Sequence, residues 1–553
     1  MATASIAILI AGAGPTGLLL GLTLLQNGVQ VRIVDKDPNR HPGYRGSGLQ
    51  PRTQEILRFL GVLDDVLALA LPILPLREYK LPGGKEELKT ILLVPHEDPT
   101  PPIPYPTSVL LGQYNTEAIL RSHIERLGGT IEYGTELRSF EQHADRVDAT
   151  LVTSTGGTEK TEMVPYHYVV GTDGAKSAVR KRLGFSFVGE TRVEGLMLLG
   201  MVEVHGLETQ HWHQWGAMAK GGLIFMPTEK PSYFSFILSG DAEELPNLLA
   251  DHDALRKTLQ KRTDRDDLVL GAFEAVSLYR PNVRMVDKFG QGRVYVAGDA
   301  AHVHSPAGGQ GLNSSVQDAF NLAWKLVLVE KSLASPSILS TYTEERLPVI
   351  AAMLQKSTVL YDAMRKSQEG GWKRGDELRQ LGVNYRWSSI AVDERTPKPE
   401  GPESVNPYGS GADGDLRAGD RAPQAPGLVP VHEGEAASLF DVFRPTHHTV
   451  LLFNLPAQET ERVLVAAKKY PSGFVKTAVI LPQGTSDLQV VGQPDLAFVD
   501  RDGHAFTTYQ VSPEKPTIVI VRPDGVVGGI VYGVGGFEKY FKGIFSAAGV
   551  VKQ

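Results

Sequence analysis

Three carboxylates stand in glycine-rich settings suited to holding a nucleotide. Asp35 ends the apolar stretch Val29-Gln-Val-Arg-Ile-Val34, 18 residues beyond the last glycine of Gly12-Ala-Gly14-Pro15-Thr16-Gly17. Asp173 opens Asp173-Gly174-Ala-Lys-Ser177, and Asp299 closes Val294-Tyr-Val-Ala-Gly298-Asp299. A G-x-G-x-x-G turn between strand and helix brings backbone N–H groups to a pyrophosphate. Gly12 permits the tight turn, Gly14 the close approach of the ligand, and Gly17 the close packing of the helix. Asp35, followed by Lys36, is then placed to accept hydrogen bonds from an adenosine ribose. Gly533-Val-Gly535-Gly536 imitates the pattern, but no acid-tipped strand follows it, so one dinucleotide fold is expected.

These residues need a scaffold, and the chain supplies its signals in order. Ile6 to Ile10 reads as a strand, Leu18 to Leu25 as a helix and Val29 to Val34 as a parallel partner strand, which makes this end α/β. From about residue 186 to 280 the texture turns strand-like, as in Gly222-Leu-Ile-Phe-Met226 and Tyr233-Phe-Ser-Phe-Ile-Leu238. The nucleotide-type pattern returns at Gly292 to Ala297, before a helical run from Val316 to Leu326. The expected division is therefore 1–185 and 281–394 for a Rossmann-like unit, 186–280 for an inserted mixed sheet on the substrate side, a Pro- and Gly-rich linker over 395–428, and a separate domain over 429–553. With 553 residues, several cores are expected. A net charge of −7 argues against nucleic acid as partner. No apolar run is long enough for a membrane span, and a cytoplasmic location is expected. The chain has no cysteine, which excludes disulfides, thiolate nucleophiles and iron–sulfur clusters.

Two longer segments decide which dinucleotide is bound. They are Tyr168-Val-Val-Gly-Thr-Asp173-Gly174-Ala-Lys-Ser177-Ala-Val-Arg180, and Gly298-Asp299-Ala-Ala-His302-Val-His304-Ser-Pro306-Ala-Gly308-Gly309-Gln-Gly311-Leu312-Asn313. With the N-terminal glycines they resemble the three fingerprints of the group A flavoprotein aromatic hydroxylases, which include p-hydroxybenzoate hydroxylase and phenol hydroxylase. The resemblance spans roughly residues 5 to 350. It implies FAD as cofactor and NADPH or NADH as co-substrate. It also implies O2 trapped on the reduced flavin as a C4a-hydroperoxide that hydroxylates a phenolic or aromatic polyketide-like small molecule. By the same resemblance Asp299 meets the ribityl chain, and Pro306 with Gly308 to Asn313 brings bare backbone to the flavin ring. Arg45 lies over the pyrophosphate, Gln113 stands on the adenosine side, Asp173 serves FAD and the nicotinamide cofactor, and Arg180 is a candidate phosphate contact. His302 and His304 read as structural, with no metal site.

One departure matters. Where phenol hydroxylase carries an aspartate before Gly-Leu-Gln, this chain has Ser47, which cannot take a phenol proton at neutral pH. Either Tyr233, His213, Tyr279 or Arg284 assists catalysis, or the substrate arrives already acidic, as an acyl phenol or polyketide enol. The C-terminal stretches Thr449 to Phe453, Ala497 to Asp500 and Lys515-Pro516 to Gly525 resemble the thioredoxin-like domain of phenol hydroxylase, with Pro516 in place of that fold's cis-proline. Without cysteines its role is structural or dimerising, and a homodimer is expected. Epoxidation or Baeyer–Villiger insertion on a non-aromatic polyketide, a simple FAD dehydrogenase or oxidase, and a non-catalytic FAD-binding protein are the competing readings.

Overall fold

The computed structural model describes residues 7–40, 42–191, 195–365, 375–398, 401, 405–409, 414–432, 434–485, 490–512 and 514–547. Strand Ile8–Ala11 is buried along its whole length, as an aliphatic strand covered on both faces must be. It pairs in parallel with Val31–Asp35 on one side and Tyr168–Gly171 on the other. The sheet extends to Ile131–Tyr133 at one edge and through Val294–Val296 to Gly290–Gln291 at the other. Helix Pro15–Gln26 begins on proline, whose fixed φ and missing N–H suit a first turn. Leu18 to Leu24 are buried around the whole circumference because the helix is wedged between this sheet and helix Gly311–Glu330. The α/β architecture with an inserted mixed sheet is thus what the chain forms.

The second sheet has seven strands in the order Val269–Tyr279, Met197–His205, Tyr233–Ser239, Leu223–Pro227, Trp212–Trp215, Leu76–Tyr79 and Glu87–Ile91. Its last two strands come from far outside 186–280. Leu76–Tyr79 joins by parallel pairing with Trp212–Trp215, a long-range contact that carries no local sequence signal. One face is closed by helices Glu244–Ala250 and His252–Thr263, which bury Leu245, Leu255 and Leu259 against Phe225, Phe234 and Phe236. The other face turns toward the nucleotide unit.

The C-terminal sheet runs Val392–Asp393, Val527–Val531, Thr517–Val521, His448–Phe453, Val475–Leu481, Leu496–Asp500, Leu428–Pro430. His448–Phe453, helix Ala457–Ala467 and Val475–Leu481 form a βαβ unit. An antiparallel pair and helix Val534–Ile544 follow, an order compatible with a thioredoxin-like unit. The Lys515–Pro516 peptide is trans; among the described residues the cis peptide is Leu81–Pro82. Part of the 395–428 stretch expected as linker lies outside the described residues. In the rest, Tyr408, Leu416, Ala418, Ala422 and Ala425 are buried. The two units share a continuous apolar core, with Phe59 edge-on to Phe440 at 4.9 Å and the Arg421–Glu55 pair at 2.8 Å across the seam.

Candidate functional site

The glycine turn is held shut by its own surroundings. Gly12 has φ +113°, and a Cβ there would collide with the backbone of Thr172. Thr172 Oγ1 donates to the Gly12 carbonyl at 2.7 Å, and Gly17 packs onto that same carbonyl. Gly14 differs. It has an ordinary φ of −72°, and a Cβ on it would meet nothing within 4 Å. Protein packing therefore does not require glycine there, and the space in front of the uncapped helix N-terminus suits an incoming phosphate. Asp35 Oδ2 accepts from the Ala13 N–H at 2.8 Å, tying the turn to the second strand, while Lys36 beside it is exposed.

Across from Asp35, Gln113 starts helix Gln113–Arg126 and donates to Glu117 Oε1 at 2.7 Å. Glu117 was not singled out from sequence. Burial pushes its carboxyl up to about 7, with Gln113 and Arg121 opposing and Asp35 adding to the rise. A folded pKa above the unfolded carboxylate value means stability is full below about 4.5 and falls as pH rises to 7. Glu117→Gln is therefore expected to stabilise the apoprotein by up to roughly 3 kcal/mol at pH 8 and to change little at pH 4, measured by denaturant unfolding.

The second half of the site is the turn at Gly298, where φ is +62° and a Cβ would stand 2.6 Å from Thr16 Oγ1. Asp299 follows, open at its own surface yet surrounded by protein, which describes the floor of a recess. Loss of hydration pushes its carboxyl up, against the pull of His302 and Arg45. No hydrogen bond to a described residue is found for it, so its oxygens remain available for hydroxyl donors. Pro306, Gly308 (φ +76°) and Gly309 (φ +62°) lead into Gly311 and Leu312 at the start of helix Gly311–Glu330. Asn313 clips this loop to the segment after Ser47: Nδ2 donates to the Gly48 and Gly309 carbonyls at 2.7 and 2.6 Å, and Oδ1 accepts from Gln50 N–H at 2.8 Å. An open phosphate cradle, a ribose-side carboxylate and an unpartnered Asp299 in one recess form a donor and acceptor set that fits FAD.

A family model described as an FAD binding domain matches residues 5–357, well over half of the chain. The chain belongs to the flavin-dependent aromatic hydroxylases. A second model, the phenol hydroxylase C-terminal dimerisation domain, matches residues 462–549. The enzyme is 37% identical to a flavin-dependent monooxygenase of Mycobacteroides abscessus over 94% of this chain and 96% of that one. It is 29% identical to pentachlorophenol 4-monooxygenase of Sphingobium chlorophenolicum, over 95% and 94%. Among solved structures, a ternary complex of aklavinone-11 hydroxylase with FAD and aklavinone superposes with a TM-score of 0.77 at 25% identity, covering 96% of each chain.

The sheet face turned to the Asp299 recess is apolar. Met197, Leu199, Ile237 and Tyr279 on three strands meet Ala307 of the glycine-rich loop before helix Gly311–Glu330 and Tyr361 of helix Ser340–Arg365. The residues expected to assist catalysis are distributed differently. His213 lies on the opposite, helix-covered face, fully buried, with Nδ1 on Tyr79 Oη at 2.7 Å and Nε2 on the Glu208 carbonyl at 2.9 Å. Burial lowers it to about 4. That corrects its expected role: the period-2 alternation of the strand sends Trp212 and Gln214, not His213, to the recess side. Arg284 is also corrected, because its guanidinium is spent on the Phe187 carbonyl and Thr191 Oγ1, each at 3.1 Å. Tyr233 sits at the sheet rim under the Lys230 ammonium, 3.8 Å from its ring centre.

Tyr279 alone of the four reaches the flavin loop, donating to the His304 carbonyl at 2.9 Å. Burial holds its hydroxyl far above the ordinary value, so it keeps its proton and acts as a strut. Arg45 is exposed and donates to Ser277 Oγ on the substrate sheet, bridging the two units. Arg180 is likewise committed, donating to the Ala300 and Ala175 carbonyls at 2.8 Å each and stacking 3.7 Å over Phe187. It joins the Asp173 and Asp299 segments and is no free phosphate contact. Asp173 Oδ2 caps the helix at Ala178 N–H, 2.7 Å, while Oδ1 is buried without a partner.

Proposed function

We propose that this FAD-dependent hydroxylase oxidises NADPH or NADH and inserts one atom of O2 into a phenolic or aromatic polyketide-like ring lying between the substrate sheet and the flavin loop. The single observation that carries the reading is the adjacency of the Asp299 recess to the apolar Met197–Leu199–Ile237 face. The balance is ring C–H, O2, NAD(P)H and a proton going to ring C–OH, water and NAD(P)+. Bound FAD supplies the electron transfer to O2 and the oxygen transfer to the ring. The backbone at Gly12 to Gly14 and Asp35 hold the adenosine pyrophosphate end, with Gln113 beside it. Asp299 accepts from ribityl hydroxyls, and the N–H groups at Gly308 to Asn313, with the helix behind them, favour negative charge at the ring edge. Met197, Leu199 and Ile237 orient an apolar ring and exclude water.

Ser47 and a Tyr279 that keeps its proton supply no base toward the substrate, and Asp299 is taken up by the ribityl hydroxyls in this reading. A substrate hydroxyl acidified by a neighbouring carbonyl needs no such base, which favours acyl phenols and hydroxyquinones over plain phenol. We assign residues 1–185 and 281–394 to FAD binding, 186–280 with the 76–91 strands to substrate binding, and 429–553 to homodimer formation. We also infer a cytoplasmic setting; among the described residues no helix is long and apolar enough to cross a membrane. The test is NADPH consumption under air across a panel of plain and acyl-substituted phenols, with mass spectrometry for one labelled oxygen from O2. Asp299→Ala is expected to weaken FAD binding roughly 10- to 100-fold, the size of hydrogen bonds to a charged group. A variant that binds FAD as tightly as the parent removes Asp299 from the site.

A further inference from the structure

A chain of buried polar contacts links the flavin recess to the C-terminal unit. Asp318, on helix Gly311–Glu330, is fully buried, and its Oδ2 accepts from the Gly298 N–H at 3.0 Å and from His302 Nε2 at 2.7 Å. Its carboxylate therefore sets the turn that carries Asp299. Oδ1 is held by Arg346 Nε at 2.7 Å, and Arg346 Nη1 donates to Tyr385 Oη at 2.9 Å. The Tyr385 ring in turn lies under the guanidinium of Arg522, 5.6 Å from the ring centre. Arg522 directly follows strand Thr517–Val521 of the C-terminal sheet and forks onto Glu345, the neighbour of Arg346, at 2.7 and 3.0 Å. Lys325 shares Glu345 at 2.8 Å, and Asp524 flanks Arg522 on the other side.

Burying so many charges is not the cheapest way to stabilise a seam, because apolar residues of similar volume often do as well or better. Asp318 and Arg346 are bonded within the nucleotide unit, but Glu345 and Tyr385 keep their full set of partners only while the C-terminal unit supplies Arg522. Undocking would strand Glu345 beside Lys325 without Arg522, and the Tyr385 ring whose hydroxyl Arg346 uses would lose the guanidinium packed over it. We propose that Asp318 is a positioning residue for the flavin-binding turn, and that the C-terminal unit tunes FAD affinity through the Arg522–Tyr385–Arg346–Asp318 chain. This rests on the reading that Gly298–Asp299 holds FAD.

The test compares three variants of the full chain by FAD titration, the absorption spectrum of the bound flavin and thermal unfolding. Tyr385→Phe removes the hydroxyl that Arg346 uses and keeps the ring. Arg522→Lys keeps the charge and loses the fork onto Glu345. Arg58→Gln breaks a different contact of the same seam, Arg58 to Asp441 at 2.6 Å, which is no part of the chain. Tyr385→Phe and Arg522→Lys are expected to weaken FAD binding about 3- to 10-fold, the range of one ordinary hydrogen bond, and to shift the flavin spectrum. Arg58→Gln should lower the unfolding temperature with FAD affinity unchanged. Equal FAD affinity in Tyr385→Phe, Arg522→Lys and the parent overturns the proposal, and so does equal weakening in all three variants. Failure of the parent itself to bind FAD would instead sink the underlying reading.

Discussion

Gly12→Ala is expected to cost about 3 to 5 kcal/mol of stability, while Gly14→Ala leaves the apoprotein intact and loses FAD. At Gly12 two penalties combine: φ of +113° is strained for any L side chain, and the new Cβ would overlap the Thr172 carbonyl. That carbonyl cannot swing aside, because the Thr172 N–H and hydroxyl are both bonded to the first strand and its turn. At Gly14 neither penalty exists, since φ is −72° and nothing lies within 4 Å of the Cβ. The methyl group would stand where a pyrophosphate oxygen should approach, so FAD affinity should fall at least about tenfold, or roughly 1.4 kcal/mol. Denaturant unfolding of the apoproteins and FAD titration separate the two effects. An apo Gly14→Ala protein as destabilised as Gly12→Ala would show that packing, and not the ligand, demands that glycine.

Acidification from pH 7 to pH 5 should remove a net of roughly 5 kcal/mol from folding stability. His213, His304, His447 and His448 are surrounded by protein, and loss of hydration lowers them to about 4, 4, 4 and 3. Groups with depressed folded pKa values contribute fully above the unfolded histidine value near 6.5 and lose that contribution as pH falls below it. By pH 5 each ring has forfeited about 2 kcal/mol, roughly 7 for the four. Glu117 works the other way and returns about 2 over the same interval, with Asp299 acting in its direction. His448 offers the cleanest check, because its ring sits among Trp324, Tyr540, Phe541 and Phe545 with Nε2 unpartnered. His448→Phe should keep that packing and cut the pH 7 to 5 loss by about 2 kcal/mol. Unfolding curves that coincide at pH 7 and pH 5 in the parent would defeat this account.

The legible part of the site was its glycine and aspartate skeleton. Gly12, Gly298 and Gly308 announce backbone that only glycine tolerates, and Asp35 and Asp299 follow strands short enough to be read from a few residues. The helices read over Leu18 to Leu25 and Val316 to Leu326 were equally local, though they begin earlier, at Pro15 and Gly311. Illegible were the partners. His213 looked like a free imidazole because Tyr79, which holds it, stands 134 positions away. Arg180 looked available for phosphate because the Ala300 carbonyl it serves is 120 positions away. Glu117 and Asp318 carried no motif and came forward only through burial.

From sequence alone came a single dinucleotide fold, the α/β frame and the absence of thiol chemistry, since each depends on residue types at short spacing or on composition; FAD as the ligand came from the resemblance of the three fingerprints to a known family. Tertiary structure alone decided which strand face meets the flavin recess, which titratable groups are struts, and how the C-terminal unit is tied to the rest. Those outcomes depend on pairings such as Arg522 with Glu345, 177 residues apart. No local propensity encodes such a pairing, because its free energy arises only when both charges leave water together.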